Sequence, residues 1–263
     1  SWNLVWKLYL THRGIARPCL LETYHDERFA VAEKIAYISA KLTGQPQSGS
    51  VSIGGDMQRE LQYVCDKHGP FFTGIGIEYP PSFLSLDDGQ NPDIAIRPGA
   101  RAPDGRLNPS NPLVDDGPTR LLDLFTAAPR FHILVFTGIP SRNHRALERL
   151  AELLAMPEMY LDTFRNPRVS TRELFDFALI VPAIEDPKRE KCELLDTLGV
   201  CYVDDVRGGD RDGLYARYGI DIEEGAVLIV RPDGIIGCWE ALGSAFEHEN
   251  YFASFLAHRD GGT

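Results

Sequence analysis

Apolar positions recur at helical spacing from the first residues: Trp2, Val5, Trp6 and Tyr9 form a stripe, and Leu4, Leu8 and Leu10 widen it until little of the segment is polar. Gly14 is a natural stop for this helix. A second helix starts near Pro18, a residue suited to a first turn, and runs through Leu20, Leu21, Tyr24, Phe29, Val31, Ala32 and Ile35 to about Leu42. Two such helices cannot bury their apolar faces alone, so they read as the edge of something larger. Residues 44–55 are rich in Gly, Ser and Gln and read as a linker. A short helix is expected over Met57 to Cys65. Phe71 to Tyr79 alternates as a strand would and is ended by Pro80-Pro81. Residues 87–118 hold many Pro, Gly, Asp and Asn, which predicts an extended connection with little regular structure.

From residue 119 onward strands and helices alternate. Thr119 to Phe125 is a short strand or helical turn. Phe131 to Phe136 is a continuous apolar run, as in a central strand covered on both faces. A helix with Leu147, Leu150, Leu153 and Leu154 on one side spans Arg142 to Leu154, and Phe175 to Val181 is a second buried strand. A helix near Arg189 to Leu198, a strand at Cys201 to Val203 and a helix at Leu214 to Tyr218 follow. Ala226 to Val230 and Ile235 to Trp239 flank Arg231-Pro232-Asp233-Gly234 and make a β-hairpin. Glu249 to His258 closes the chain as an amphipathic helix. Strand–helix–strand, then helix, hairpin and helix, is the thioredoxin-like order, so the fold class is α/β with a thioredoxin-like C-terminal domain.

Composition changes the picture in three ways. The net charge of −11 over 263 residues repels phosphates, which argues against nucleic acid or an anionic membrane as partner. The charge is uneven, +2 over residues 1–45 and −13 beyond. No apolar run is long enough to span a bilayer, and the first residues lack a secretory signal, so the chain reads as soluble and cytoplasmic. The five cysteines (19, 65, 192, 201, 238) are scattered and make no C-x-x-C pair, which points to reduced packing thiols rather than a disulfide framework.

Several segments resemble the C-terminal part of the FAD-dependent aromatic hydroxylases, the phenol 2-monooxygenase group in particular. Asn3 to Leu8 (NLVWKL) is similar to the helix after that family's second FAD-contacting motif. Leu20 to Arg28 (LLETYHDER) resembles the next helix, although Phe29 and Ala30 stand where the family has Arg and Pro. Thr73 to Tyr79 resembles the strand leaving its substrate domain, and Arg97 to Asp104 resembles the entry to its thioredoxin-like domain. Tyr218-Gly219-Ile220 and Val230 to Gly234 match the hairpin region. The resemblance implies residues 1–45 as a helical remnant of an FAD domain, 46–96 as linker and substrate-domain strand, and 97–263 as the thioredoxin-like domain. It implies FAD and NADPH in the parent family, and a homodimer or a flavin-binding partner chain. This chain itself shows no G-x-G-x-x-G between a strand and a helix, and Gly74-Ile75-Gly76 continues as strand, so no cofactor is expected on this chain alone.

Candidate chemistry is sparse. A redox thioredoxin-like domain needs a thiolate at a helix N-terminus, yet Thr137 to His144 contains no cysteine. Cys65 and His68 have half a zinc site's spacing and lack a second pair. Asp210 to Gly213 starts like a calcium loop and lacks its later ligands, so no metal is expected. His132 reads as a core histidine. Two functional readings remain. The chain is a truncated or split phenol hydroxylase homologue contributing a non-redox scaffold or dimerisation part. Alternatively it is a stand-alone, cofactor-free isomerase, cyclase or dehydratase on an aromatic or polyketide-like small molecule. In that second reading His25, His68, Glu78 and Tyr79 would move protons.

Overall fold

The computed structural model describes residues 2–42, 55–86, 96–109, 119–125, 128–155, 164, 171–183, 200–206, 213–244 and 248–257. Three helices come first: α1 (Trp2–His12), α2 (Cys19–Leu42) and α3 (Gly55–Phe72). Strands β1 (Arg106–Pro109) and β2 (Thr119–Arg120) follow, then a 3-10 turn, β3 (Phe131–Phe136), α4 (His144–Ala155), α5 (Thr171–Leu174) and β4 (Phe175–Val181). The chain ends with β5 (Val200–Asp204), α6 (Leu214–Tyr218), β6 (Ala226–Val230), β7 (Ile236–Ala241) and α7 (His248–Ala253). The seven strands form one sheet in the order β2-β1-β5-β4-β3-β6-β7. β3 pairs in parallel with β4 and antiparallel with β6, and β4 pairs in parallel with β5. The β3-α4-β4 unit and the β6-β7-α7 unit thus meet along β3, which is the thioredoxin-like arrangement.

Every residue of β3 is buried because the sheet is covered on both faces. Phe131, Ile133 and Val135 meet Leu147 and Leu150 of α4, Phe252 of α7, and Trp6, Leu10, Ile15 and Leu20 from the first two helices. Leu134 and Phe136 meet Leu107 of β1, Leu228 of β6, and Leu214, Tyr215 and Tyr218 of α6. A third cluster joins Val31 and Ile38 of α2 to Val64 and Phe71 of α3, with Tyr79 and Ile235.

Three expectations are corrected. The strand expected over Phe71 to Tyr79 is absent. α3 runs to Phe72 across Pro70, because Val64 and Phe71 lie on one helical face and both are buried. Its last carbonyls are capped by the amides of Thr73, Gly74 and Gly76, and only Glu78 makes a lone bridge to Ala100. The expected connection over 87–118 contains β1, a short edge strand in which only Leu107 faces the core. The closing helix ends at Ala253 rather than near His258. There the chain turns to pair with the α1–α2 connection, Ala257 N–H donating to Ile15 O at 2.9 Å. The helix expected near 189–198 and the linker at 44–54 lie outside the described residues, as do Cys192 and Asp210 to Asp212.

Candidate functional site

α1 presents a polar inner face. Asn3, Trp6, Lys7 and Leu10 point inward, while Trp2, Val5, Leu8 and Tyr9 remain 40–49% exposed. The inward lysine is explained by what faces it. α2 places Thr23 and Glu27 one turn apart, and the β6–β7 turn brings Arg231 and Asp233. Lys7 Nζ donates to Thr23 Oγ1 at 2.8 Å and to Glu27 Oε2 at 2.6 Å. Arg231 Nη1 and Nη2 donate to Glu27 Oε1 and Oε2 at 2.6 and 3.1 Å. The same guanidinium reaches Asp233 through Nε and Nη2 at 3.1 and 2.8 Å. Asn3 Nδ2 lies 2.8 Å from both carboxylates, and Trp2 Nε1 donates to Pro232 O at 2.6 Å. The Arg231 guanidinium also sits 5.5 Å from the ring centres of Trp6 and Tyr79.

Two cations and two anions balance inside this cluster, so no net charge is buried. Burial pushes the Glu27 carboxyl up, but Arg231 and then Lys7 outweigh it and hold the group below the usual carboxylate range. Burial likewise opposes Asp233, and Arg231 again brings it below that range. For Lys7 burial wins over Glu27 and the ammonium is lowered. Both oxygens of Glu27 are occupied and Lys7 and Arg231 are fully enclosed, so no substrate reaches these groups. The arrangement is a mechanical clamp that fastens two helices to a hairpin.

The other end of β3 is the corner where a redox thiol would sit. Thr137 N–H donates to Ile180 O at 3.0 Å, and Gly138 N–H donates to the Tyr215 hydroxyl at 3.0 Å. That hydroxyl donates onward to Ile180 O at 2.8 Å. Asn143 Nδ2 reaches Thr137 O, Ile139 O and Glu223 O at 3.1, 3.3 and 2.7 Å. A Cβ on Gly225 would lie 2.3 Å from Phe136 O and 2.6 Å from Gly138 N. The loops after β3 and before β6 therefore touch backbone to backbone. Beyond them lies an open cavity of about 390 Å³, with the Arg142–Glu223 ion pair and Leu242 in its wall.

The family model described as "Phenol hydroxylase, C-terminal dimerisation domain" matches residues 77–260, well over half of the chain. The chain belongs to this family. It is 28% identical to a 3-hydroxybenzoate 4-monooxygenase of Comamonas testosteroni, over 97% of this chain and 42% of that protein. It is 29% identical to an FAD-dependent monooxygenase of Aspergillus terreus, over 97% of this chain and 38% of that protein. Among solved structures, K252c-soaked RebC aligns with a TM-score of 0.44 and 22% identity, over 96% of this chain and 40% of that one. The chain thus spans about two fifths of the length of these relatives.

The family match covers the RPDG segment, the alignments with the two monooxygenases extend the likeness over 97% of the chain and so to the NLVWKL and LLETYHDER segments, and the geometry gives the three one purpose. Lys7, Glu27, Arg231 and Asp233 come from those segments and meet in the clamp. None of the four stands among the residues singled out for catalysis. The signal that marks them is a charge inside an otherwise apolar pattern, Lys7 within α1 and Arg231 directly after a fully buried strand. Of the singled-out residues, His25 is exposed on α2 and stacks on Phe29 at 5.6 Å. His68 is half-buried on α3, Glu78 is exposed, and Tyr79 is buried with its ring on Arg231. The neighbours Glu78 and Tyr79 therefore face opposite ways.

FAD fits poorly to the described residues alone. Gly138 and Gly213 are described glycines between a strand and a helix, and both are packed against protein: a Cβ on the first would strike Asn143, Glu223 and Gly225, and on the second Asp204 and Val206. Gly76 packs against Pro70 and Phe71 of its own helix end. Among the described cysteines Cys201 and Cys238 are buried, Cys19 is half-buried and Cys65 is exposed on α3. No group of three or more metal-binding side chains occurs among the described residues, and no described helix is long and apolar enough to cross a membrane.

Proposed function

We propose that this chain is the C-terminal, non-redox scaffold of an FAD-dependent aromatic hydroxylase, pairing with a second copy of itself through its thioredoxin-like body. The flavin and NADPH chemistry belongs to a flavin-binding part, either in a longer parent or on a partner chain. The observation that carries this reading is the two-sided α1. Its inner face is fixed by the clamp, while Val5, Leu8 and Tyr9 stay open on the outside, so a rigid apolar surface is held ready for a neighbour. The family description and the names of the relatives support the same assignment. Nothing in the geometry favours the cofactor-free isomerase, cyclase or dehydratase reading, because its candidates His25 and Glu78 face outward and Tyr79 faces inward.

The test combines sedimentation equilibrium with flavin titration of the purified chain. A mass twice that of the chain, hydrophobic dye binding and no flavin uptake are expected. A monomer that binds flavin by itself would sink the proposal.

A further inference from the structure

The family match begins at residue 77, yet the body it delimits is not closed without the first two helices. We infer that the thioredoxin-like unit carries a docking surface at the start of β3, the tip of the β6–β7 hairpin and the end of α7. Its occupant is this chain's own helical pair, residues 2–42, and the two fold and unfold as one cooperative body.

Three independent kinds of contact meet on that surface. The first is charge: the Arg231 guanidinium is wholly buried, and Asp233 satisfies only part of it. Its Nη1 is met by Glu27 of α2, at 2.6 Å. Without α2 that donor loses a charged partner. The second is aromatic packing. Phe131 is met by Phe252 and Phe255 at 5.3 and 5.6 Å between ring centres, and Trp6 closes the cluster edge-on at 5.8 Å. Leu10, Ile15 and Leu20 extend the same core.

The third is backbone. Arg17 N–H donates to Phe255 O at 2.8 Å and Ala257 N–H to Ile15 O at 2.9 Å, around a bridge between Ala16 and Leu256. The Arg17 side chain donates to Ala253 O and, at 3.2 Å, to Leu256 O, which satisfies carbonyls left open where α7 ends. Opening this seam alone would expose apolar rings, unpair buried ions and break backbone hydrogen bonds at once. Such a seam opens only with the whole. The consequence is that the clamped helices travel with the thioredoxin-like body, and any motion relative to a further domain lies outside this seam. This inference does not rest on the hydroxylase reading, since it concerns contacts within this chain.

Hydrogen exchange on the full chain, followed by mass spectrometry across a denaturant series, reads the seam directly. The amides of Trp6 to Leu10 in α1 and of Leu228 to Val230 in β6 are expected to show protection within about tenfold of one another, and to lose it with the same denaturant dependence. Exchange in α1 faster than in β6 by a thousandfold or so, insensitive to denaturant, would overturn the inference by showing that the helices open alone. A second measurement uses Glu27→Gln, which keeps the shape and removes the charge. It should speed exchange in α1 and in β6–β7 by the same factor, about tenfold or more. Acceleration confined to α1 and α2 would equally refute a single body.

Discussion

The two ends of β3 solve opposite problems. At Phe131 the chain buries four charges and matches them, drawing one partner from each of α1 and α2 and two from a turn 200 residues away in sequence. At Phe136 it matches backbone to backbone through Gly138 and Gly225, with Tyr215 and Asn143 as staples, and the buried carboxylate at that end, Asp204, accepts from the Leu214 and Tyr215 amides rather than from a cation. A thioredoxin-like fold draws the eye to the second end, where a thiol would stand on a helix N-terminus. In this protein that corner is a plugged joint, and the strongest electrostatics lie at the far end. Buried charge here marks where separate lengths of chain are fastened, since a carboxylate between two cations holds its partners in one geometry.

The sharpest way to break this contrast is to remove the arginine. Arg231→Ala leaves Glu27 and Asp233 buried with only Lys7 and Asn3 as partners, and a buried pair that loses one member costs about 3–5 kcal/mol. The urea midpoint should fall accordingly. Arg231→Lys should recover only part, because an ammonium cannot engage both carboxylates in the planar, paired way seen here. A loss below about 1 kcal/mol for Arg231→Ala would mean that the clamp is decoration on an apolar joint.

Acid should act first through His132, beside Phe131 in β3, and only at lower pH through the clamp carboxylates. His132 pairs in register with Val230, stacks on Phe125 at 4.6 Å and is 3% exposed. Burial, with Arg130 nearby, lowers its pKa from 6.5 to about 4. The unfolded chain therefore takes up a proton near pH 6.5 that the folded chain refuses until about pH 4. Stability is full above that window and declines through it, by a few kcal/mol at its foot. Glu27 and Asp233 are held below the usual carboxylate range, so their contribution is present at neutral pH and lost only as pH falls through their folded values, lower still. His132→Phe should flatten the upper part of the acid limb in urea melts taken at successive pH values, leaving the carboxylate part in place. An unchanged limb would remove His132 from the account.

At the corner the expected effect is smaller and has a different origin. Gly225 has φ +70°, and its Cβ would meet Phe136 O and Gly138 N inside contact distance. Gly225→Ala should cost about 1–3 kcal/mol, as a strained backbone position does. The loss relative to the unsubstituted chain should stay constant between pH 4 and 7, because the substitution touches no titrating group, whereas the loss in the clamp variants should vary with pH.

Much of this fold was legible in the residue pattern, and the exceptions share a cause. The runs at Phe131 to Phe136, Phe175 to Val181 and Ala226 to Val230 announced their strands because each is covered on both faces. Arg231-Pro232-Asp233-Gly234 announced its turn, and Gly14, at φ +67°, its helix stop. The strand expected at Phe71 to Tyr79 failed because alternation over a few residues competes with an i, i+7 helical pair, and burial of Val64 with Phe71 decided it. β1 escaped notice because an edge strand with a single core residue has no pattern to show. The clamp was hidden for a deeper reason. Its segments were recognised one at a time, but spacing alone could not tell that Lys7 points inward while Leu8 and Tyr9 point out. That inversion depends on Glu27 and Arg231, which are distant in sequence and meet Lys7 only in the folded chain.

The inversion also supplies the smallest expected effect. If the outer face of α1 is open, then Leu8, 47% exposed, contributes little to this chain's own stability. Leu8→Lys should shift the urea midpoint by no more than about 0.5 kcal/mol, the usual range for surface positions. It should nonetheless reduce binding of a hydrophobic dye, because it places a charge in the middle of the surface bounded by Val5 and Tyr9. A destabilisation above about 1 kcal/mol would show that Leu8 already packs against this chain. In that case α1 has two buried faces, the contrast between a fastened side and a waiting side disappears, and the proposed neighbour loses its landing place.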